Sequence, residues 1–279
     1  MFKLTTPVQA PRLPFSITLK DRVAVFGSCL ADDMGAKLRD GGFGTMVNPF
    51  GTLYNPLSVE SALGRLDSGR LFTSEDCVQM GAGAGLVCSW EHYTKFARPT
   101  ADEFLAGANA ALAEASEFWG KATVAVVILY TARVWEHDGH VVTNCLKRPA
   151  SEFTRRLLSP DEVAAAVTRI ERAHPDKRFV WMVCPIRQMG DGPLEGSLSK
   201  ASLHLGLAAA GAAYFPAYEI VHDELRDYRF YAEDLLHPSP VALQILWERF
   251  EGAALDPAEL PAVEANEKQS KSLKHLPNR

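Results

Sequence analysis

The sequence predicts an α/β protein: a three-layer α/β/α sandwich with a mostly parallel central sheet. Three observations carry that expectation. Short, continuous apolar runs alternate with helical patterns, the habit of parallel strands covered on both faces. The helical segments open on recognisable capping residues. In a chain of 279 residues, 47% hydrophobic and 23% charged residues allow a sizeable core.

The expected strands are RVAVF (Arg22–Phe26), TVAVVILY (Thr123–Tyr130), RFVWMVC (Arg178–Cys184) and AAYFPA (Ala212–Ala217). After the first, Leu30, Met34 and Leu38 recur every four residues, a helical stripe. The second is preceded by a helix opening on the capping box Thr100 and Glu103. The third is preceded by another, with Ser159 as cap, Pro160 at the first helical position and Glu162 three residues on. Ser199–Gly211 and Ser239–Phe250 complete the helical set. Strand–helix alternation of this kind implies a doubly wound sheet.

Two segments break the alternation, about 48–98 and 134–156, both rich in Gly and Pro. We read residues 1–253 as one domain carrying these two long loop insertions. Residues 254–279 turn polar and are expected to form a flexible tail.

Composition narrows the function classes. A net charge of −5 and the absence of a Lys/Arg cluster argue against nucleic acid. No run reaches the roughly 18 apolar residues of a membrane span. The first fifteen residues lack an apolar stretch and carry Pro7, Pro11 and Pro14, so no signal peptide is expected. The five cysteines are odd in number and widely spaced, with no C-x-x-C. Neither a zinc site nor a disulfide framework is implied, and a cytoplasmic protein with reduced thiols is expected. Nucleotide fingerprints and the G-x-S-x-G elbow are absent.

Chemistry is suggested at two places. Ser28 follows Gly27 at the end of the first strand and the start of a helix, where ligands of open α/β sheets bind. A helix N-terminus offers free N–H groups, so the Ser28 N–H could hold an oxyanion formed by attack of the Ser28 hydroxyl. The bland alternative is that Ser28 only caps the helix. Cys29 is the rival nucleophile, ranked lower because free Cys is often a buried hydrophobe. The second place is Asp234-Leu235-Leu236-His237, just before the last helix. A serine needs a base, and the base needs a carboxylate on Nδ1–H to fix its tautomer. Glu136–His140 (EHDGH) invites a metal reading but is better read as a hairpin turn with Asp138-Gly139 at its tip.

These residues bear a resemblance. The pair Ser28 and Asp234/His237 resembles the SGNH, or GDSL-like, hydrolase superfamily. More narrowly, the chain resembles the GSCFA-domain family. It does so through GSCLADDMGAKL, NPFGTLYNPLSV (Asn48–Val59), SWEHYTKF (Ser89–Phe96), NCLKRPASEFTRRLLS (Asn144–Ser159) and YFPAYEIVHDELRDYRFYAEDLLHPS (Tyr214–Ser239), over roughly residues 5–252. The resemblance implies Ser28 as nucleophile, His237 as base and Asp234 as third acid. It also implies a glycine N–H and an asparagine side chain in an oxyanion hole, for which Gly51 and Asn144 are the nearest matches. Asn48, Asn55 and Asn144 could equally be turn formers. The Gly-x-Asn-Asp of SGNH enzymes is missing, and Gln188 stands where relatives carry His. His92, within a matching motif, is expected to line the pocket. Arg187 could bind a carboxylate or phosphate, or be a solvated loop residue.

The expectation is a serine esterase acting on a small-molecule or glycan acyl ester, with no metal or organic cofactor. Acyl transfer on the same triad, and a non-catalytic binding module on a degenerate SGNH scaffold, are the alternatives. Acyl group, alcohol and oligomeric state are not legible.

Overall fold

The computed structural model describes residues 5–81 and 83–274. In chain order the elements are β1 (Arg22–Gly27), α1 (Cys29–Asp40), β2 (Gly44–Val47), α2 (Pro56–Ser68), β3 (Val78–Gln79), β4 (Val87–Cys88), α3 (Ala101–Lys121) and β5 (Val124–Leu129). Next come β6 (Arg133–His137), β7 (His140–Val142), β8 (Thr154–Leu157), α4 (Pro160–Ala173), β9 (Arg178–Val183), α5 (Pro193–Ala210), α6 (Ala217–Glu219), α7 (Pro240–Ala254) and α8 (Leu260–Lys274).

The central sheet has the order β2-β1-β5-β9 with every pairing parallel. Alternate side chains feed two separate cores, as a pleated strand requires. Ala24, Phe26, Ala125, Val127, Phe179 and Trp181 pack with apolar residues of α2, α3, α4 and α5. Val23, Val25, Val124, Val126, Val180 and Met182 pack with those of α1, α7 and α8. The three layers of the sequence reading are therefore present. All six residues of β5 are buried, which explains its unbroken apolar run.

The chain leaves β1 on one side to form β2 and returns on the other to form β5. The junction of β1 and β5 is therefore the topological switch point, where doubly wound sheets bind ligands at their carboxyl ends.

Four expectations need correction. The strand expected at Ala212–Ala217 reduces to a single parallel bridge between Tyr214 and Trp181. Pro216 has no N–H to extend the ladder, and α6 begins at once. The first insertion is not irregular: it holds α2, capped by Asn55, started by Pro56 and ended by Gly69 in the left-handed region. The second insertion folds into an antiparallel sheet, β7-β6-β8. Its β6–β7 turn is the expected one, with Asp138 and Gly139 both at positive φ.

The fourth correction concerns the tail. Its described part forms α8, seated on α1, while residues 275–279 lie outside the described residues. Val263 is fully buried in the α1/α7 core. Asn266 donates to Gly41 O, Ser270 to Asp40, and Trp247 Nε1 to Glu267. Among the described residues no helix is long and apolar enough to cross a membrane. A chain ending at Pro257 should lose about 2–4 kcal/mol of stability through exposed apolar surface and orphaned polar groups. Equal urea midpoints for full-length and shortened chains would show that α8 contributes nothing.

Candidate active site

Gly27 ends β1 paired with Ile128 of β5, and Ser28 follows it. Gly27 has φ +141°, and a Cβ there would sit 2.2 Å from Ile128 O, so only glycine fits. Its N–H donates to Asn48 Oδ1 at 2.9 Å, and Leu53 N–H returns to Gly27 O at 2.9 Å. Asn48 is itself at φ 43°, a conformation Asn tolerates. It is the turn former that sequence reasoning allowed, and also a brace for the Ser28 turn.

Ser28 is the N-cap residue of α1 by backbone, yet its side chain makes no capping bond. By contrast Asn55, Thr100, Ser159 and Ser239 cap α2, α3, α4 and α7 through their side chains. Ser28 is 1% exposed, and its hydroxyl has no hydrogen-bond partner. It neighbours the Cys184 thiol, whose pKa burial raises and Ser28 only partly offsets, but lies outside hydrogen-bonding geometry. The expected capping alternative is thus absent. A buried hydroxyl left unpaired is unusual enough to require a reason.

Cys29 is exposed at the first position of α1. Partial burial of its thiol raises its pKa, and Cys184, Asp32 and Asp33 raise it further. The helix N-terminus does not overcome these, so Cys29 is no activated nucleophile.

The Asp-x-x-His pair forms as expected. Asp234 Oδ2 lies 2.5 Å from His237 Nδ1. Asp234 Oδ1 accepts the N–H groups of Leu236 at 2.9 Å and His237 at 3.0 Å. Those backbone bonds, then the imidazole, hold the Asp234 carboxyl down to about 2. An ionised carboxylate only accepts, so the Nδ1 proton is fixed and Nε2 is left as a base. The loop is tight: Leu235 adopts φ 59°, Leu235 N–H reaches Ala232 O, and Ala232 N–H reaches His237 O. On α1, burial and then Asp32 push the Asp33 carboxyl up, and His237 lies near enough to offset part of that rise.

Arg187 takes a different part from the substrate contact considered for it. Its N–H donates to Leu236 O at 3.1 Å and Nη1 to Leu235 O at 3.0 Å, with its guanidinium beside the rings of Tyr228 and Tyr231. It clasps the His237 loop to the exit of β9. Lys200 was missed altogether. Its buried ammonium donates to Tyr130 O at 2.6 Å and Cys184 O at 2.7 Å, pinning the carboxyl ends of β5 and β9 together. Burial pushes its pKa down to about 8. The available signal was a lone Lys within the apolar pattern of Ser199–Gly211.

The remaining oxyanion-hole candidates are engaged elsewhere. Ser28 N–H donates to Ile128 O at 3.2 Å, a long bond. Gly51 N–H donates to Asn48 O at 2.8 Å, and its absent Cβ makes room for Tyr93. Asn144 Oδ1 accepts Leu146 N–H at 2.8 Å, a turn-forming role. Among the described residues no group of three or more His, Cys, Asp or Glu could hold a metal ion.

This architecture and this turn define a class: a three-layer α/β protein with a serine at the switch point and a His–Asp pair on a loop before the last sheet-covering helix. The chain belongs to the GSCFA family, whose model matches residues 22–250. No match was found among curated proteins.

His92 corrects the pocket expectation. It is fully buried, with Nδ1 2.7 Å from Ser89 Oγ and its ring among Phe50, Phe72, Phe96 and Phe104 at 4.6–5.3 Å. Burial, and then Arg65, lower its pKa to about 4. The unfolded chain protonates His92 below about 6.5, while the folded chain resists until about 4. Stability on this account is present above pH 6.5 and is lost as pH falls toward 4. Between pH 7.5 and 5 the wild type should lose about 2 kcal/mol more than His92→Leu in denaturant titrations. Parallel losses in the two proteins would refute the assignment.

Proposed function

We propose that the protein is a serine acyl-ester hydrolase of SGNH type. The carrying observation is the Ser28 hydroxyl: buried, unpaired and not used as a cap, at the switch point of the sheet. The oriented imidazole of His237 supports the same reading.

In the reaction, Ser28 Oγ attacks the ester carbonyl while its proton passes to His237 Nε2. The imidazolium, stabilised by Asp234, returns that proton to the leaving alkoxide as the acyl–oxygen bond breaks. Water then attacks the acyl-enzyme, with His237 again as base, and releases the acid. Catalytic hydrogen bonds are often unformed in an unliganded site and tighten on binding. For this step the Ser28 hydroxyl must come within hydrogen-bond distance of His237 Nε2. Helix α1 directs the positive end of its dipole at the developing oxyanion. Ser28 N–H, whose bond to Ile128 O is long, is the donor most readily recruited. Gly51 and Asn144 complete the hole only if their turn bonds are exchanged for the oxyanion.

A fluorophosphonate probe should label the wild type and not Ser28→Ala. Against a panel of acyl esters from acetyl to long chain, His237→Ala and Asp234→Asn should each lower kcat by roughly 10³–10⁴-fold with the fold intact. Because Asp234 is held down to about 2, carboxylate protonation should not shape the activity profile above pH 4. Absence of both labelling and hydrolysis, with folded protein, would overturn the proposal.

A further inference from the structure

Helix α5 is built inside out. Its buried side carries Ser199, Lys200 and Ser202 alongside Leu203 and Leu207. The polar three have partners: Ser199 Oγ accepts Ala132 N–H at 2.9 Å, Ser202 Oγ donates to Leu158 O, and Lys200 holds two strand-end carbonyls. The solvent side carries leucines instead. Leu194 is 68% exposed, Leu198 46% and Leu205 59%. An ordinary surface helix turns its leucines the other way.

The outward residues have an order. Leu194, Leu198, Ala201, Leu205 and Ala208 are all exposed, and they are spaced four, three, four and three, the spacing of a seam between two helices. At 3.6 residues per turn they fall on a strip about 80° wide. The strip carries no charge. The three ionisable residues of α5 are engaged elsewhere: Glu195 pairs with Arg133, Lys200 is buried, and the His204 ring faces Glu219. Depletion of charge at the centre of a face is a mark of protein contact. A helix that lies on lipid flanks its apolar face with Lys and Arg, which this strip lacks.

The strip is also complementary to itself. About a twofold axis through Ala201, an antiparallel second copy brings Leu198 against Leu205 of the partner subunit, and Leu194 against Ala208 of the partner subunit. The small Ala201 side chain at the axis lets the helices approach closely. Ala208 rims a hollow of about 250 Å³, with Leu207 and Ala212 in its walls, and this offers room for the incoming leucine. A parallel copy would set leucine on leucine at one end and alanine on alanine at the other. The helix has 18 residues, a length of about 27 Å. A strip of that length withdraws on the order of 500 Å² per copy and 1,000 Å² in all, the low end of specific interfaces.

We infer that the chain forms a reversible homodimer through antiparallel pairing of α5 about Ala201. The inference stands apart from the esterase reading and does not need it.

The test is sedimentation velocity on the full-length chain from ~5 to ~200 μM, where the mass should rise from one copy toward two. Leu198→Lys and Leu205→Lys, with folding checked by circular dichroism, should each weaken association at least about tenfold. Leu194→Lys stands in for either variant that fails to fold. In a Cys29→Ser background, mild oxidation should link Ala201→Cys chains into dimers. It should leave Leu194→Cys chains unlinked, because antiparallel pairing sets the two copies of residue 194 about 21 Å apart. A chain that stays one copy throughout overturns the inference, and binding of that monomer to phosphatidylcholine vesicles would give the strip to a lipid surface. A larger assembly, a dimer that survives the lysine substitutions, or any other pattern of linkage also overturns it.

Discussion

The contact on which the site depends is backbone against backbone, where Gly27 meets Ile128 across the β1–β5 ladder. A side chain at residue 27 would overlap the Ile128 carbonyl. The two strands can therefore stay paired up to the residue before the helix, and Ser28 is delivered directly into the floor of the switch point. Asn48 and Leu53 lock the turn from the β2 side, and Ser28 N–H closes it against Ile128. This bracing holds a hydroxyl under the surface with no local partner, although capping bonds are available to it in principle. Elsewhere in the molecule Ser, Thr and Asn at equivalent positions take those bonds.

Three elements from distant parts of the chain converge over this turn. The exit of β9 supplies Cys184 beneath Ser28 and Arg187 above the His237 loop. Lys200, from α5, ties the carboxyl ends of β5 and β9. An ammonium held by two neutral carbonyls and the face of the Tyr130 ring is an expensive device in a protein interior. It spares two strand-end carbonyls from being left unpaired where the chain departs the sheet.

Much of this could be read from the amino acids in order. The central strands were legible because burial on both faces leaves an unbroken apolar run. The Asp234–His237 pair was legible because its partners are three residues apart, and the Asp138-Gly139 turn because few residues tolerate two positive φ values. Other features were masked by physics that order alone does not display. Helix α2 hid in a Gly/Pro-rich stretch, though Asn55, Pro56 and Gly69 bracket it as cap, first residue and stop. Helix α8 reads as polar because it turns few side chains, Val263 chief among them, into the core. The burial of His92, the clasp of Arg187 and the placing of Lys200 depend on contacts far apart along the chain.

The seating of α8 bears on where the folding unit ends. The family match stops at residue 250, within α7. Yet the helix whose first turn carries Ser28 is gripped at its other end by Asn266 and Ser270. The boundary drawn by family resemblance is therefore not a boundary of cooperativity. Amide protons along α1 and α8 are expected to exchange through one opening event, so protection of the helix that follows Ser28 draws partly on residues that the family pattern does not include.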